Sequence, residues 1–394
     1  MVPMKRLLGI EKNVFFMGLV SFFNDFSNEM IVSVFPAFFQ SVLKSGAASL
    51  GFIEGVADAF ANLTKIYSGN LSDRIQKRKV LAIIGYIISV ATRPFYLAVS
   101  IPAQVLGIRV VDRIGKGFRE APRDALLSLS SPQNELGRSF GFHRAMDSLG
   151  AIAGPLVAFF ILRAFPDGFN TIFVTAFVIG LLAVLSFVFV KEVSGVVKGK
   201  PKFTWKRDHP KHVKIFLLAI FILSMGNLPI ALLLLRTQDL GLALSFIPLF
   251  YLFYNVSYTL FSYSAGKAAD RWGDRKIIFV GYGLLCVSYL LIIYDHTLIA
   301  LAGGFIILGL YSALTDGVQR SYIARFTKEE HRGSAYGLLS AAIGFGSLFA
   351  GIIGGILWQT YGPVAALTTA VCVIVLGLAV FSESNHEHLP AGQS

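Results

Sequence analysis

Apolar runs separated by short polar connections repeat along the whole chain. Residues 212–235 and 277–294 are two of the longest, and each is long enough to cross about 30 Å of hydrocarbon as a helix rising 1.5 Å per residue. Reading every run against its flanking Gly, Pro and charged residues predicts twelve helices. They fall at 13–40, 48–68, 79–99, 103–128, 138–163, 170–190, 212–236, 244–266, 276–295, 297–323, 333–358 and 363–382. The one long polar stretch, KEVSGVVKGKPKFTWKRDHPK at 191–211, leaves six helices on either side. The expected organisation is an N-terminal six-helix bundle over 1–190, a cytoplasmic central loop over 191–211 and a C-terminal six-helix bundle over 212–394.

Composition agrees with this reading and removes alternatives. Of 394 residues, 55% are hydrophobic and 15% charged, and the mean hydropathy is +0.66; soluble domains carry about 25% charged residues. A cytosolic enzyme, a disordered chain and a secreted disulfide scaffold are excluded. Cys286 and Cys372 both fall inside apolar runs, as small core residues rather than a disulfide framework. The first run lacks a small-residue cleavage site after it, so it is expected to stay as helix 1.

The net charge of +12 raises the question of nucleic acid, which the placement of Lys and Arg answers. Lys5, Arg6 and Lys12 precede helix 1; Arg74, Lys77, Arg78 and Lys79 follow helix 2; Lys191 to Lys214 is basic; and Arg271, Arg275 and Lys276 follow helix 8. The alternate connections hold only Lys44, Arg163 and Arg236. By the positive-inside rule both termini and the central loop face the cytoplasm, as a multi-pass protein of the cytoplasmic (inner) membrane. The charge is topological, and no nucleic-acid partner is expected.

The two halves also repeat one another. Gly69-Asn70-Leu71-Ser72-Asp73-Arg74 with Arg78-Lys79 recurs as Gly266-Lys267-Ala268-Ala269-Asp270-Arg271 with Arg275-Lys276. Arg123 aligns with Arg320, and Glu135 with Gly137 and Gly141 aligns with Glu330, Gly333 and Gly337. Three collinear matches point to a duplicated six-helix unit.

With these residues in place the chain resembles the major facilitator superfamily over nearly its whole length. The GxLxDRxxxRK pattern after helix 2 is similar to that superfamily's signature and stands here in both halves. Arg113, Lys116 and Gly117 resemble its second motif, with Lys in place of Gln. Gly150 to Gly154-Pro155 looks like the antiporter motif, although Ala158 and Phe159 replace its closing Gly pair. The stretches Asp25 to Pro36 and DRIGKGFREAPRD at 112–124 further resemble a prokaryotic branch of predicted permeases. The resemblance implies an all-α membrane protein of twelve transmembrane helices in two pseudo-symmetric six-helix bundles, with a cavity lined by helices 1, 4, 7 and 10. It also implies a gating role for Gly69, Asp73, Arg74, Gly266, Asp270 and Arg271, with Asp73 and Asp270 holding the cytoplasmic side closed, and for Gly154 and Pro155.

Charges inside the bilayer cost at least about 2.5 kcal/mol each at a helix centre and persist with a partner or a task. The first half holds most of them: Asp25 and Glu29 on helix 1, Glu54, Asp58 and Lys65 on helix 2, and Arg93 on helix 3. Helix 4 adds Arg109, Asp112, Arg113 and Lys116, and helix 5 adds His143, Arg144 and Asp147. Asp25/Glu29, Glu54/Asp58 and His143/Asp147 are i, i+4 pairs and share a face. Asp25, Asp58, Arg113 and Asp147 are expected to meet in one network, with Asp25, Glu29 and Asp147 as proton carriers and Arg113 setting their affinity. Glu54, nearer the periplasmic end, is expected to face water at the cavity mouth.

The second half offers aromatic and neutral polar groups: Asn227, then Tyr251, Phe253, Tyr254, Asn255 and Tyr258 on helix 8, and Tyr311 near Asp316 on helix 10. Such a wall suits an amphipathic organic substrate. Candidate substrate contacts are Asp25, Glu29, Arg109, Arg113, Lys116, His143, Asn227, Tyr254, Asn255, Tyr311 and Asp316. His143 and the carboxylates could take a divalent metal, but the neighbouring Arg and Lys repel one. No phosphate loop, GxSxG or HExxH is present, so no enzyme, cofactor or resident metal is expected.

The reading is proton-coupled secondary transport by alternating access, exporting a small organic or amphipathic compound, by a monomer. Its partners are the substrate, protons and the lipid bilayer. The alternative is an anionic metabolite or siderophore held by Arg109, Arg113 and Lys116, taken up or exported; a divalent-metal transporter and an intramembrane enzyme or sensor rank below it.

Overall fold

In the computed structural model, residues 6–7, 10–75, 77–132, 135–193, 211–239, 241–294, 297–327 and 332–383 are described. After a two-stranded antiparallel pair, β1 (Arg6–Leu7) and β2 (Ile10–Glu11), they form thirteen α-helices: α1 (Lys12–Ser41), α2 (Ala47–Ile75), α3 (Arg78–Thr92), α4 (Pro102–Leu129), α5 (Leu136–Ala164), α6 (Phe169–Ser186), α7 (Lys211–Met225), α8 (Ile230–Asp239), α9 (Ile247–Trp272), α10 (Asp274–Tyr294), α11 (Leu298–Arg325), α12 (Arg332–Tyr361) and α13 (Pro363–Glu383). Among the described residues nine spans are long and apolar enough to cross a membrane; α1, α2 and α4, which carry Asp25, Glu29, Glu54, Asp58, Arg109 and Arg113, are not among them. The chain is a multi-pass membrane protein, with large apolar side chains such as Leu260, Val188 and Ile299 exposed on its outer surface.

The helix boundaries follow local chemistry. Pro102 opens α4 where its missing N–H costs nothing, and the Gln104 side chain turns back to accept from the amides of Ser100 (2.7 Å) and Ile101 (3.3 Å). Gly273 (φ 91°) and Gly362 (φ 87°) end α9 and α12 in a backbone region L side chains avoid, so α10 and α13 follow at once. Two expectations shift. The run read as one helix over 212–236 breaks at Gly226-Asn227-Leu228-Pro229 into α7 and α8, because Pro229 has no N–H to continue the ladder. The first parts of the motifs read as connections after helices 2 and 8, residues 69–74 and 266–271, lie instead within α2 and α9, each of which runs farther than its hydropathy suggested, while their Arg-Lys ends fall in α3 and α10.

Packing joins the halves along two seams, α2 against α12 and α5 against α9. Glycine allows the first: a Cβ on Gly51 would stand 2.3 Å from the Gly351 carbonyl oxygen, and one on Gly351 2.2 Å from that of Gly51. Within the first half α1 lies on α5 and α6, and α4 on α2 and α3; within the second, α11 lies on α9 and α10, and α7 on α12 and α13. Near the start of α2 the structure is sealed: Gln359 accepts from the Ala48 amide at 3.0 Å, and Phe159 packs on Phe246 with centroids 5.9 Å apart. Toward the other end Asp124, Arg144, Asp316 and Arg320 are exposed.

Candidate functional site

The sharpest ionic geometry lies between α2 and α4. Gly117 of α4 presses on α2, where a Cβ would meet the Ala61 carbonyl oxygen at 2.5 Å. That proximity brings two helical repeats of charge into register, Glu54 and Asp58 facing Arg109 and Arg113. Arg109 donates to Glu54 at 2.5 Å, and Arg113 stands 4.0 Å from Glu54 and 3.6 Å from Asp58. Glu54 is therefore not at a watery mouth: it is 6% exposed, and Arg109, which also lies 4.9 Å over the Phe35 ring, is 2% exposed. A buried charge needs its partner, and here each finds one. Some capacity is left over, since Glu54 Oε1, Arg109 Nε and Arg113 Nε make no hydrogen bond among the described residues.

A second cluster lies between α1 and α5. Gly150 and Gly154 let α5 touch the α1 backbone, with an added Cβ meeting Phe22 O at 2.4 Å and Phe26 O at 2.6 Å. Asp25 and Asp147 are thereby brought side by side, Asp25 held by Asn24 of α1 and Asp147 reached by Ser21 of the same helix. Ser21 Oγ donates to Asp147 at 2.5 Å, Arg144 reaches its other oxygen at 3.2 Å, and Asn24 donates to Asp25 at 2.8 Å. The expected single network of Asp25, Asp58, Arg113 and Asp147 is thus resolved into two, because i, i+4 spacing fixes a face but not the helix it meets. Sequence reasoning misses Ser21 and Asn24; short polar residues one turn or one position from Asp25 are the signal that could find them.

Buried support surrounds both clusters. Arg93 donates to Ser27, to the Ala176 carbonyl (3.3 Å) and to Asn24 (3.5 Å). Arg119 donates to Ser89 at 2.6 Å and lies 4.7 Å over the Tyr86 ring. Lys65 pairs with Glu120. His143 is buried with Nε2 lacking a hydrogen bond among the described residues, and it lines neither of the cavities below.

Two adjoining cavities occupy the centre. The first, about 130 Å³, is walled by Glu29, Asp58, the Glu54–Arg109 pair, Arg113 and Lys116 on one side, and by Pro229, Ile230, Ala231 and Tyr251 on the other. The second, about 200 Å³, shares Asp58, Pro229 and Ile230 with it and continues to Asn227, Tyr254, Tyr311, Ser312 and Ser347. The α7–α8 break stands at their junction. Tyr289 fixes it, accepting from the Leu228 amide at 2.9 Å and donating to the Gly226 carbonyl at 3.3 Å. Across the first cavity Tyr251 donates to Glu29 at 2.5 Å, and the rings of Tyr251, Tyr254 and Tyr258 stack in succession at 5.7 and 6.4 Å. The expected lining by helices 1, 4, 7 and 10 is present, with α2, α9 and α12 added.

Other candidates sit elsewhere. Asn255 donates to the Ala151 carbonyl at 3.0 Å, joining α9 to α5. Asp316 is exposed and lines neither cavity, and Asp25 lies in the α1–α5 cluster. Asp270 pairs with Arg325 at 2.8 Å within the second half, and Arg325 also meets Asp274 at 2.9 Å; Arg271 is exposed. The side chains of Asp73 and Arg74 lie outside the described residues. Gly69 and Gly266 do not serve close packing, since a Cβ would meet only Ala121 at 3.7 Å in the first case and nothing within 4 Å in the second. Gly154 does, beside Pro155 inside α5. No group of three metal-ligating side chains is present among the described residues.

The family model of the Major Facilitator Superfamily matches residues 17–215 and again 215–393. The chain belongs to the major facilitator superfamily. An uncharacterized MFS-type transporter of Methanocaldococcus jannaschii is 32% identical over 382 residues, 94% of each protein. Two solved structures share the fold. The nucleoside transporter NupG superposes with a TM-score of 0.74 at 17% identity, over 94% of this chain and 98% of its own. A POT family transporter in complex with 5-aminolevulinic acid gives 0.78 at 13%, over 98% and 99%. The protein is accordingly a membrane transporter of the MFS type, carrying small-molecule substrates.

Proposed function

We propose that the protein is a proton-coupled secondary active transporter that works by alternating access and exports a small organic or amphipathic compound by antiport. Twelve transmembrane helices, with α7 and α8 together making one, would form two six-helix bundles over 1–190 and 212–394 around the central cavities. The observation that carries the proposal is the placement of Asp25 and Asp147 side by side where α1 and α5 touch at Gly150 and Gly154. Two carboxyl groups side by side, beside the Arg144 guanidinium, make a site able to bind and release a proton as its surroundings change.

Alternating access is supported by the asymmetry of the two ends, sealed near Ala48 and Gln359 and carrying exposed charge at Asp124, Arg144 and Asp316. The wet end carries the basic connections, which the positive-inside rule puts in the cytoplasm of an inner-membrane protein with both termini cytoplasmic. Asp73 and Asp270, with Arg74, Arg271 and the glycines of their motifs, would act when the cytoplasmic end closes. The tyrosine stack and Asn227 supply an amphipathic wall.

The test is luminal pH in proteoliposomes bearing a proton gradient, while organic cations, organic anions and siderophores are added in turn. Substrate-induced proton flux that Asp25→Asn or Asp147→Asn abolishes is the expected result. Gradient-driven transport retained in Asp25→Asn, Glu29→Gln and Asp147→Asn alike overturns it. A second reading, an anionic metabolite or siderophore, is favoured by Arg113 and Lys116 on the cavity wall; Arg113→Gln then weakens binding of the anion.

A further inference from the structure

We infer that the substrate is a small zwitterion, with an anionic group such as a carboxylate or phosphate and an ammonium-type cation a short spacer apart, and an uncharged tail. The inference deepens the transport reading and rests on the central cavities being the substrate site.

Charge balance comes first. The wall of the first cavity holds three acids, Glu29, Glu54 and Asp58, against three bases, Arg109, Arg113 and Lys116. A ligand with net charge entering such a site gives up its hydration without a matching counter-charge. A zwitterion brings an anion and a cation together and leaves the balance unchanged.

The unfilled valences are of both kinds. Arg109 Nε is a donor and Glu54 Oε1 an acceptor without a hydrogen bond among the described residues, and both residues are more than nine-tenths buried; Arg113 Nε already faces Asp58 Oδ1 at 3.6 Å.

The backbone opposite adds direction. Ile230 and Ala231, the first two residues of α8, line the same cavity across from Arg113. The first amides of a helix have no partner within it and carry its partial positive charge. An anionic group is therefore placed between the start of α8 and Arg113 with Lys116, and the cationic group toward Glu29 and Asp58. Because Asp58, Pro229 and Ile230 are common to both cavities, the uncharged part of the ligand extends into the chamber of Tyr254, Tyr311 and Leu308.

The test is binding to the full-length protein in detergent with no gradient, read by thermal shift and titration with matched triplets. Each triplet is a zwitterion, its cationic partner and its anionic partner: an aromatic amino acid with its methyl ester and its N-acetyl derivative, an aliphatic one treated likewise, and an aminoalkyl phosphate with its phosphodiester and N-acyl forms. In at least one triplet the zwitterion is expected to bind tenfold or more tighter than both partners. Arg113→Gln is expected to reverse that order in favour of the cationic partner, a change of selectivity that misfolding cannot produce. Equal or better binding by a singly charged partner in every triplet overturns the inference, as does the absence of a shift in all three. Zwitterion binding without proton flux in vesicles would leave this inference standing and sink the coupling reading; proton flux driven only by singly charged compounds would do the reverse.

Discussion

Tyr251 of α9 donates a 2.5 Å hydrogen bond to Glu29 of α1, so a phenol from the second half and a carboxyl group from the first meet across the central cavity. The other Glu29 oxygen is held by Asn28 at 2.8 Å. A bond to a charged group contributes about 1.5–3 kcal/mol, and this one exists only while the halves are together here.

Tyr251→Phe should therefore loosen the sealed end. With Cys286 and Cys372 replaced by Ser, a cysteine at Ile230 is expected to react about tenfold faster with an impermeant thiol reagent added from the sealed side, as a loss of about 1.4 kcal/mol implies. Unchanged labelling would show that the bond does not hold the halves.

The Glu54–Arg109 pair has a different signature. Truncating one member strands a buried charge, and Glu54→Gln or Arg109→Gln should each cost about 3 kcal/mol. The double variant strands neither and should melt closer to the parent than either single variant. Additive losses in detergent melts would mean that the two side chains act independently.

Gly154→Val tests the fit between α1 and α5. Its branched side chain must displace Phe26 O, Met30 N or the Glu29 stem, an overpacking cost of about 1–3 kcal/mol. Proton flux should fall with stability as Asp25 and Asp147 separate. Gly141→Ala, whose Cβ meets nothing within 4 Å, is the control expected to preserve both.

Asp270→Asn should leave stability within about 1 kcal/mol, since the Arg325 pair is exposed and such pairs contribute little. If Asp270 acts in closing the cytoplasmic end, the variant should nonetheless shift labelling toward the open form and slow transport. A fully active variant with parental labelling would remove Asp270 from the gate.

Hydropathy sufficed for most helices because a bilayer requires long apolar runs. It failed at Gly226–Pro229, where four residues hardly alter a window that averages over a whole span, although Asn227 and Pro229 were visible. Spacing showed that Glu54 and Asp58 share a face, and so do Asp25 and Glu29. It did not show that Glu54 looks into α4 while Asp25 looks into α5, since those pairings depend on how helices distant in sequence pack. Gly117, Gly150 and Gly154 decide them; their motifs stand out in the sequence, but nothing in those motifs says which helix each glycine meets. Asn255 was legible as a polar group in a helix, but not as one whose amide is already engaged by Ala151 O. Asp73 and Arg74 remain expectations from the motif alone.

The bare contact between Gly51 and Gly351 has one more consequence. Where side chains interdigitate, two helices must ratchet from notch to notch as they turn; where backbone lies on backbone, nothing defines a notch. At that point α2 and α12 would turn on one another without any side chain having to unlock. That crossing supplies a bearing, and the ion pairs and tyrosines on either side of it are left to decide where the motion stops.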